Sequence, residues 1–126
     1  MRMVMAFLLL ALTASVSFAA GVVNLGAPAA RSLLARNGRV LLLDVRTPEE
    51  YRQAHLRGAT LIPLSELESR VREIPRGRPI LVYCAVGARS LTAAHFLVSK
   101  GFSDVYHISD GIVGWYRNGY PLERGK

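Results

Sequence analysis

An α/β fold, a single domain with a mostly parallel central sheet and helices on both faces, is what the sequence predicts, and three observations predict it. Val40-Leu41-Leu42-Leu43 and Ile80-Leu81-Val82-Tyr83 are apolar runs without alternation, the pattern of strands covered on both faces. Segments with apolar residues at helical spacing alternate with such runs along the chain, the order that parallel strands and crossover helices require. The chain has 126 residues, 51% of them hydrophobic and 20% charged. That is the size of one domain of ~100–150 residues and too apolar for a disordered chain.

The N-terminus reads as a targeting segment. Met1-Arg2-Met3 carries one positive charge, and Val4 to Val16 hold no charge, Pro or Gly. A run of that length falls inside the ~7–15 residues of a signal-peptide core and short of the ~20 that cross a bilayer. Ser17-Phe18-Ala19 puts small residues at both recognition positions, so cleavage is expected after Ala19. Residues 1–19 are then the signal peptide and 20–126 the domain, and the mature protein is periplasmic or secreted with no stable membrane insertion. The alternative is an uncleaved anchor running from Val4 to Val23.

Val22-Val23-Asn24-Leu25 suits a short first strand, and Pro28 to Arg36 a helix with Asn37-Gly38 as its stop. The Val40 run, closed by Asp44, is the first buried strand. Thr47-Pro48-Glu49-Glu50 is a helix start, with Thr47 as cap, Pro48 at the first helical position and acidic residues where the helix dipole favours them; Gly58 ends that short helix. Thr60 to Leu64 reads as a brief edge strand. Ser65-Glu66-Leu67-Glu68 reads as a capped helix start running to about Ile74. After the turn Pro75 to Pro79, the Ile80 run is the second buried strand and delivers Cys84 at its end. A helix from about Arg89 to Lys100 shows Leu91, Ala94, Leu97 and Val98 at helical spacing, with Gly101 as stop. The strand Val105 to Ile108 and a last helix from Gly111 to Asn118 complete the series.

Charge narrows the partners little. The formal net charge is +7, a surplus that suits nucleic acid, anionic lipid or an anionic small molecule. Export argues against nucleic acid, and apart from Arg70, Arg72, Arg76 and Arg78 the arginines are scattered, as on a solvated basic face. The single cysteine can neither close an intramolecular disulfide nor build a Cys-rich zinc site. His95 and His107 have no carboxylate or histidine at ligand spacing, so no metal site is expected, and a monomer is the expected state.

Cys84 is the candidate nucleophile. It stands at the C-terminal end of a buried strand, where open α/β sheets bind ligands. In Cys84-Ala85-Val86-Gly87-Ala88-Arg89 the glycine lets the backbone turn back, so that successive N–H groups can form an anion-binding nest. The helix that follows adds its positive end and Arg89 a full charge, which should lower the thiol pKa. A lone cysteine after an apolar strand is otherwise simply a small buried hydrophobe.

From about Arg39 to Leu122 the sequence resembles the rhodanese (sulfurtransferase) homology domain. Leu43-Asp44-Val45-Arg46, Glu50-Tyr51 and His55-Leu56-Arg57-Gly58-Ala59 are similar to the family's first signature. Val82-Tyr83-Cys84 with Gly87, Arg89-Ser90, Ala93-Ala94, Leu97 and Gly101-Phe102 is similar to its active-site segment, and Gly111 to Trp115 to its closing glycine-tryptophan motif. The small size and export signal resemble the single-domain periplasmic rhodaneses. Ala54, Arg57 and Asp110 depart from the usual glycine, proline and glycine. The resemblance implies that Cys84 carries a persulfide and that Ala85, Val86, Gly87, Ala88 and Arg89 bind a small anionic sulfur donor such as thiosulfate. Cyanide, a thiol or a protein then takes up the sulfur, without a metal or organic cofactor.

The upstream residues are read as supporting. Asp44 is expected to orient the Cys84 loop by accepting backbone N–H groups, and Arg46 to pair with Glu49 or Glu50. His55 reads as a structural hydrogen-bonding group, and Trp115 and Tyr116 as core and rim. Two other readings of the site stand beside sulfur transfer. One is a persulfide carrier or a redox- or protein-binding module. The other is a cysteine phosphatase or arsenate reductase, whose loop places five residues between Cys and Arg where this chain has four.

Overall fold

Five strands, all parallel, form one sheet in the order β1-β5-β4-β2-β3 in the computed structural model, which describes residues 21–126. The strands are β1 (Val23–Leu25), β2 (Leu41–Asp44), β3 (Thr60–Leu61), β4 (Ile80–Tyr83) and β5 (Val105–Ile108). The helices are α1 (Ala27–Arg36), α2 (Pro48–Gln53), α3 (Leu64–Arg70) with a 3-10 turn over Val71–Glu73, α4 (Ala88–Ser99) and α5 (Gly111–Arg117). The signal-peptide reading and its cleavage site lie outside the described residues. No helix among the described residues is long and apolar enough to cross a membrane.

Alternation along each central strand splits the core in two. On one face Leu43, Val82 and Val105 pack with Leu67 of α3 and Ala93, Ala94 and Leu97 of α4. On the other, Leu42, Leu81, Tyr83 and Ile108 pack with Ala27, Ala30 and Leu33 of α1 and Ile112 and Trp115 of α5. Every residue of β4 is buried, which is why its sequence shows no alternation. Trp115 is core and Tyr116 exposed, as their positions suggested.

Three elements differ from the sequence expectations. The third strand stops at Leu61, because the chain turns into α3 at Pro63 and Leu64. Ser65 is not the cap of α3: Pro63 occupies that position and no side chain caps the helix. The helical stretch closes as a 3-10 turn, with Ile74 N–H donating to the Val71 carbonyl oxygen. The Thr47 start is as expected, a full capping box in which Thr47 Oγ1 accepts from Glu50 N–H and Glu50 Oε1 from Thr47 N–H, both at 3.2 Å.

Strand order sets where the loops meet. β2 and β4 are neighbours, with Asp44 beside Tyr83 in register. The chain leaving β2 carries Ala54 and Leu56 to the α1–α5 face, whereas the chain leaving β4 enters α4 on the opposite face. The crevice between two such diverging connections is where open parallel sheets bind ligands, and Cys84 lies in it.

Candidate functional site

The Cys84 loop is shaped by glycine and braced from behind. Gly87 adopts φ +105°, and a Cβ there would sit on the Ser109 carbonyl oxygen, so only glycine closes the loop at this point. Gly111, at φ +61°, backs the loop so closely that a Cβ would overlap the Ala85 carbonyl group. The first turn of α5 pins the loop, Ile112 N–H donating to the Cys84 carbonyl oxygen at 2.9 Å and Val113 N–H to that of Ala85 at 3.1 Å. The Asp110 side chain lies where a Cβ on Gly114 would fall, so the glycine four residues on leaves it room.

These constraints turn the loop's donors onto one sulfur. Cys84 Sγ accepts from Gly87 N–H at 3.1 Å and Ser90 N–H at 3.3 Å, and lies 3.5 Å from Ser90 Oγ. The residue is 1% exposed, so the thiol sits beneath the loop at the N-terminus of the twelve-residue α4. Burial pushes the Cys84 thiol up, but the hydrogen bonds from Ser90, Gly87 and Val86 outweigh it and hold its pKa below the ordinary cysteine value. Such a site stabilises an anionic sulfur.

Arg89 is placed differently from the sequence expectation. Its Nη1 and Nη2 donate to Glu50 Oε1 and Oε2 at 2.7 and 2.9 Å, a bidentate pair. The hydrogen bond from Arg89 is the main reason the Glu50 carboxyl is held down at about 2. The Cys84 sulfur is still near enough for its negative charge to favour the charged guanidinium, but Arg89 approaches the loop as half of an ion pair. Glu50 thus caps α2 and anchors the start of α4 at once.

Both supporting residues act elsewhere than expected. Asp44 accepts from the N–H, Nε and Nη2 of Arg46 at 2.8–3.2 Å, not from the N–H groups of the Cys84 loop. Arg46 is committed to Asp44 and to the Ala54 carbonyl oxygen, not to Glu49 or Glu50. Asp44 is fully buried and Arg46 nearly so. A carboxylate that deep needs a full-time cation, and the guanidinium two residues along the same strand end is the nearest one available. His55 is structural as read: its Nδ1 meets the Tyr51 carbonyl oxygen at 2.8 Å and its ring stacks on Tyr51.

Two residues to which the sequence reading gave no part in the sulfur site reach it. Ser90 is buried with its hydroxyl against the sulfur, and His107 Nδ1 lies 3.0 Å from that hydroxyl oxygen. A signal for each existed. Ser90 occupies the first turn of the helix that faces the loop, and His107 is a polar residue on the inward face of an apolar strand. Among the described residues no three His, Cys, Asp or Glu side chains are grouped to hold a metal ion.

Fold and loop together define an α/β protein whose single cysteine sulfur lies between a parallel sheet and a helix N-terminus, with hydrogen-bond donors of the loop turned onto it. Residues 27–118 match the rhodanese-like domain family, and the chain belongs to it. A sulfurtransferase of Allochromatium vinosum is 38% identical over 89 residues, 71% of this chain and 83% of that protein. The thiosulfate sulfurtransferase GlpE of Vibrio cholerae is 32% identical over 82 residues, 65% of this chain and 77% of that protein. A rhodanese-related protein of Thermoplasma volcanium has the same fold, with a TM-score of 0.73 at 30% identity, covering 80% of this chain and 97% of that one. These relatives support sulfur transfer as the general class of activity.

Proposed function

We propose that the protein is a sulfurtransferase that moves the sulfane sulfur of thiosulfate, or a donor like it, through a persulfide on Cys84. The Cys84 thiolate attacks the donor's outer sulfur; a new S–S bond forms to Sγ, the bond to the sulfonate sulfur breaks, and sulfite departs with its electron pair. Cyanide or a thiolate then attacks the outer persulfide sulfur and returns Cys84 as thiolate, a ping-pong scheme. The observation that carries this reading is the convergence of the Gly87 and Ser90 N–H groups and the Ser90 hydroxyl on Sγ. Preorganised donors of this kind favour the thiolate and the anionic persulfide alike.

Geometry weighs against phosphoryl chemistry. A cysteine phosphatase needs its arginine turned into the loop to hold the phosphate oxygens, whereas both Nη groups of Arg89 are committed to Glu50. The loop is also one residue shorter than phosphatases use. The signal-like N-terminus adds an inference of its own, that the protein works in an oxidising compartment outside the cytoplasm; the N-terminal sequence of the exported protein should begin at Ala20.

Intact-mass measurement after incubation with thiosulfate tests the assignment. The expected result is a gain of one sulfur that a cyanide chase removes and that Cys84→Ser never shows. No gain on the wild-type chain overturns direct transfer from thiosulfate and favours a carrier loaded by another protein.

A further inference from the structure

The Cys84 sulfur is one end of a hydrogen-bonded line through the protein. Ser90 Oγ is 3.5 Å from Sγ and 3.0 Å from His107 Nδ1, and His107 Nε2 is 2.7 Å from Asn24 Oδ1. Cys84, Ser90 and His107 are all buried, while Asn24 lies exposed on β1, the edge of the sheet. The line exists because β1 pairs with β5 in the register that sets Asn24 beside His107, and because α4 lies over the face on which His107 and Val105 point inward.

Donors and acceptors along this line have a definite sense. With Asn24 Oδ1 accepting, the neutral ring carries its proton on Nε2 and presents the lone pair of Nδ1 as an acceptor. The Ser90 hydroxyl has one proton, with the Gly87 carbonyl oxygen at 3.1 Å, His107 Nδ1 and the sulfur all within reach. With that proton directed to Nδ1, Ser90 Oγ is free to accept from the Cys84 S–H. Burial, with a smaller push from His95, holds His107 below the ordinary histidine value, so the resting ring is neutral near pH 7, and it is the thiolate formed beside Ser90 that offsets the cost of charging it.

We propose that Ser90 and His107 form a buried relay that takes the proton from the Cys84 thiol, with Asn24 fixing the ring for the task. This inference rests on the sulfur-transfer reading in that it supplies the thiolate on which that chemistry depends. The S–H bond breaks as a new O–H bond forms on Ser90; the original Ser90 O–H breaks as N–H forms at His107 Nδ1. Thiol and imidazole become thiolate and imidazolium, serine is regenerated, and nothing is oxidised or reduced. In the product state the Ser90 hydroxyl donates to the sulfur, while the imidazolium donates to Ser90 Oγ and to Asn24 Oδ1. Ser90 touches the reacting atom; His107 and Asn24 act through it and are positioning residues. The titratable and charged groups that bear on the pair are His95 on α4, which opposes the imidazolium, and Arg89, which favours the thiolate.

The pH profile of Cys84 alkylation by iodoacetamide tests the relay, since its rate follows the thiolate fraction. The apparent pKa it reports belongs to the coupled Cys84–His107 pair. Ser90→Ala and His107→Gln are expected to raise it by about one unit, a tenfold loss of rate on the acid limb. Glutamine keeps hydrogen bonds to Ser90 and Asn24 but accepts no proton, so a merely structural His107 would leave the profile unmoved. Superposition of the His107→Gln profile on that of the wild type overturns the relay. Asn24→Asp, on the exposed edge, gives an arm independent of core packing: a carboxylate facing Nε2 favours the imidazolium and should lower the apparent pKa, and an unchanged value again overturns the proposal. Sulfur uptake from thiosulfate by the same wild-type preparation separates the two readings. Absent uptake with the shifts intact overturns sulfur transfer from thiosulfate and leaves the relay as a thiol-activating device, whereas normal uptake with unshifted profiles overturns the relay alone.

Discussion

Arg89 and Glu50 form a bidentate ion pair at the start of α4, beside the Cys84 loop, and on the proposed sulfur-transfer reading that pair governs how the loop meets an anionic donor. Because the guanidinium is paired, removing it does more than delete a cation; it leaves the Glu50 carboxylate without its countercharge. Arg89→Ala is therefore expected to lower kcat/KM for thiosulfate by about 10- to 100-fold, the scale of a charged hydrogen bond. Adding Glu50→Gln should restore part of the loss, and steady-state kinetics on the four members of this double-mutant cycle measures how much. If instead the two losses add, the pair is not the unit through which Arg89 acts. The same pair has a pH signature. A carboxyl held at about 2 in the folded chain, against 4.5 ordinarily, adds stability that is complete above about pH 4.5 and is lost as pH falls through about 2. Melting of wild type and Glu50→Gln between pH 6 and 2 should show the wild-type advantage shrinking over that window, modestly because the pair's side chains are 37% and 31% exposed.

At the scale of elements, α5 is the brace of the loop and Gly111 the point of contact. Its N–H groups hold the Cys84 and Ala85 carbonyl groups while its first residue leaves no room for a side chain. Gly111→Ala is expected to lower the unfolding midpoint and to slow sulfur loading on Cys84. Gly119 separates backbone conformation from contact. It also has a positive φ, +74°, but nothing stands within 4 Å of a Cβ there, so Gly119→Ala should cost only the left-handed backbone penalty, about 1–2 kcal/mol, and leave loading intact. Denaturant melts and loading rates of the two variants make the comparison. Equal behaviour would mean that α5 does not brace the loop through Gly111. The capping box of α2 works at this scale too, since the glutamate that satisfies the helix N-terminus also holds α4 through Arg89.

Across the whole molecule, the sheet carries the site by separating two cores. β4 is central, and its alternate residues serve opposite layers, Leu81 and Tyr83 one side and Ile80 and Val82 the other. Leu81 is fully buried beneath α1 and α5. Leu81→Ala should cost about 2–5 kcal/mol in a urea melt, a large share of the ~5–15 kcal/mol that holds a domain folded. A value near that of an exposed leucine would contradict the two-core description. The buried Asp44–Arg46 pair at the end of β2 belongs to the same framework, because it seals the strand end beside the site without contributing to the loop.

The sequence by itself determined what local periodicity and stereochemistry can encode. Unalternating apolar runs marked β2 and β4 because both faces of those strands are covered; Thr47-Pro48-Glu49-Glu50 marked the start of α2 because a capping box is a contact within four residues; and Cys84 at a strand end before Gly87 marked the loop whose backbone N–H groups turn onto the sulfur. Tertiary structure alone decided the partners. Asp44 took Arg46 and Glu50 took Arg89, where the sequence had suggested other pairings: burial of the β2 end commits the Asp44 carboxylate to the guanidinium two residues on, and the packing of α2 against the start of α4 brings Glu50 to a cation 39 residues away. The line from Asn24 through His107 and Ser90 to Cys84 joins residues from both ends of the domain's sequence and exists only because β1 lies beside β5 and α4 packs on β5 and β4. Residues so far apart share no spacing that a sequence pattern can reveal.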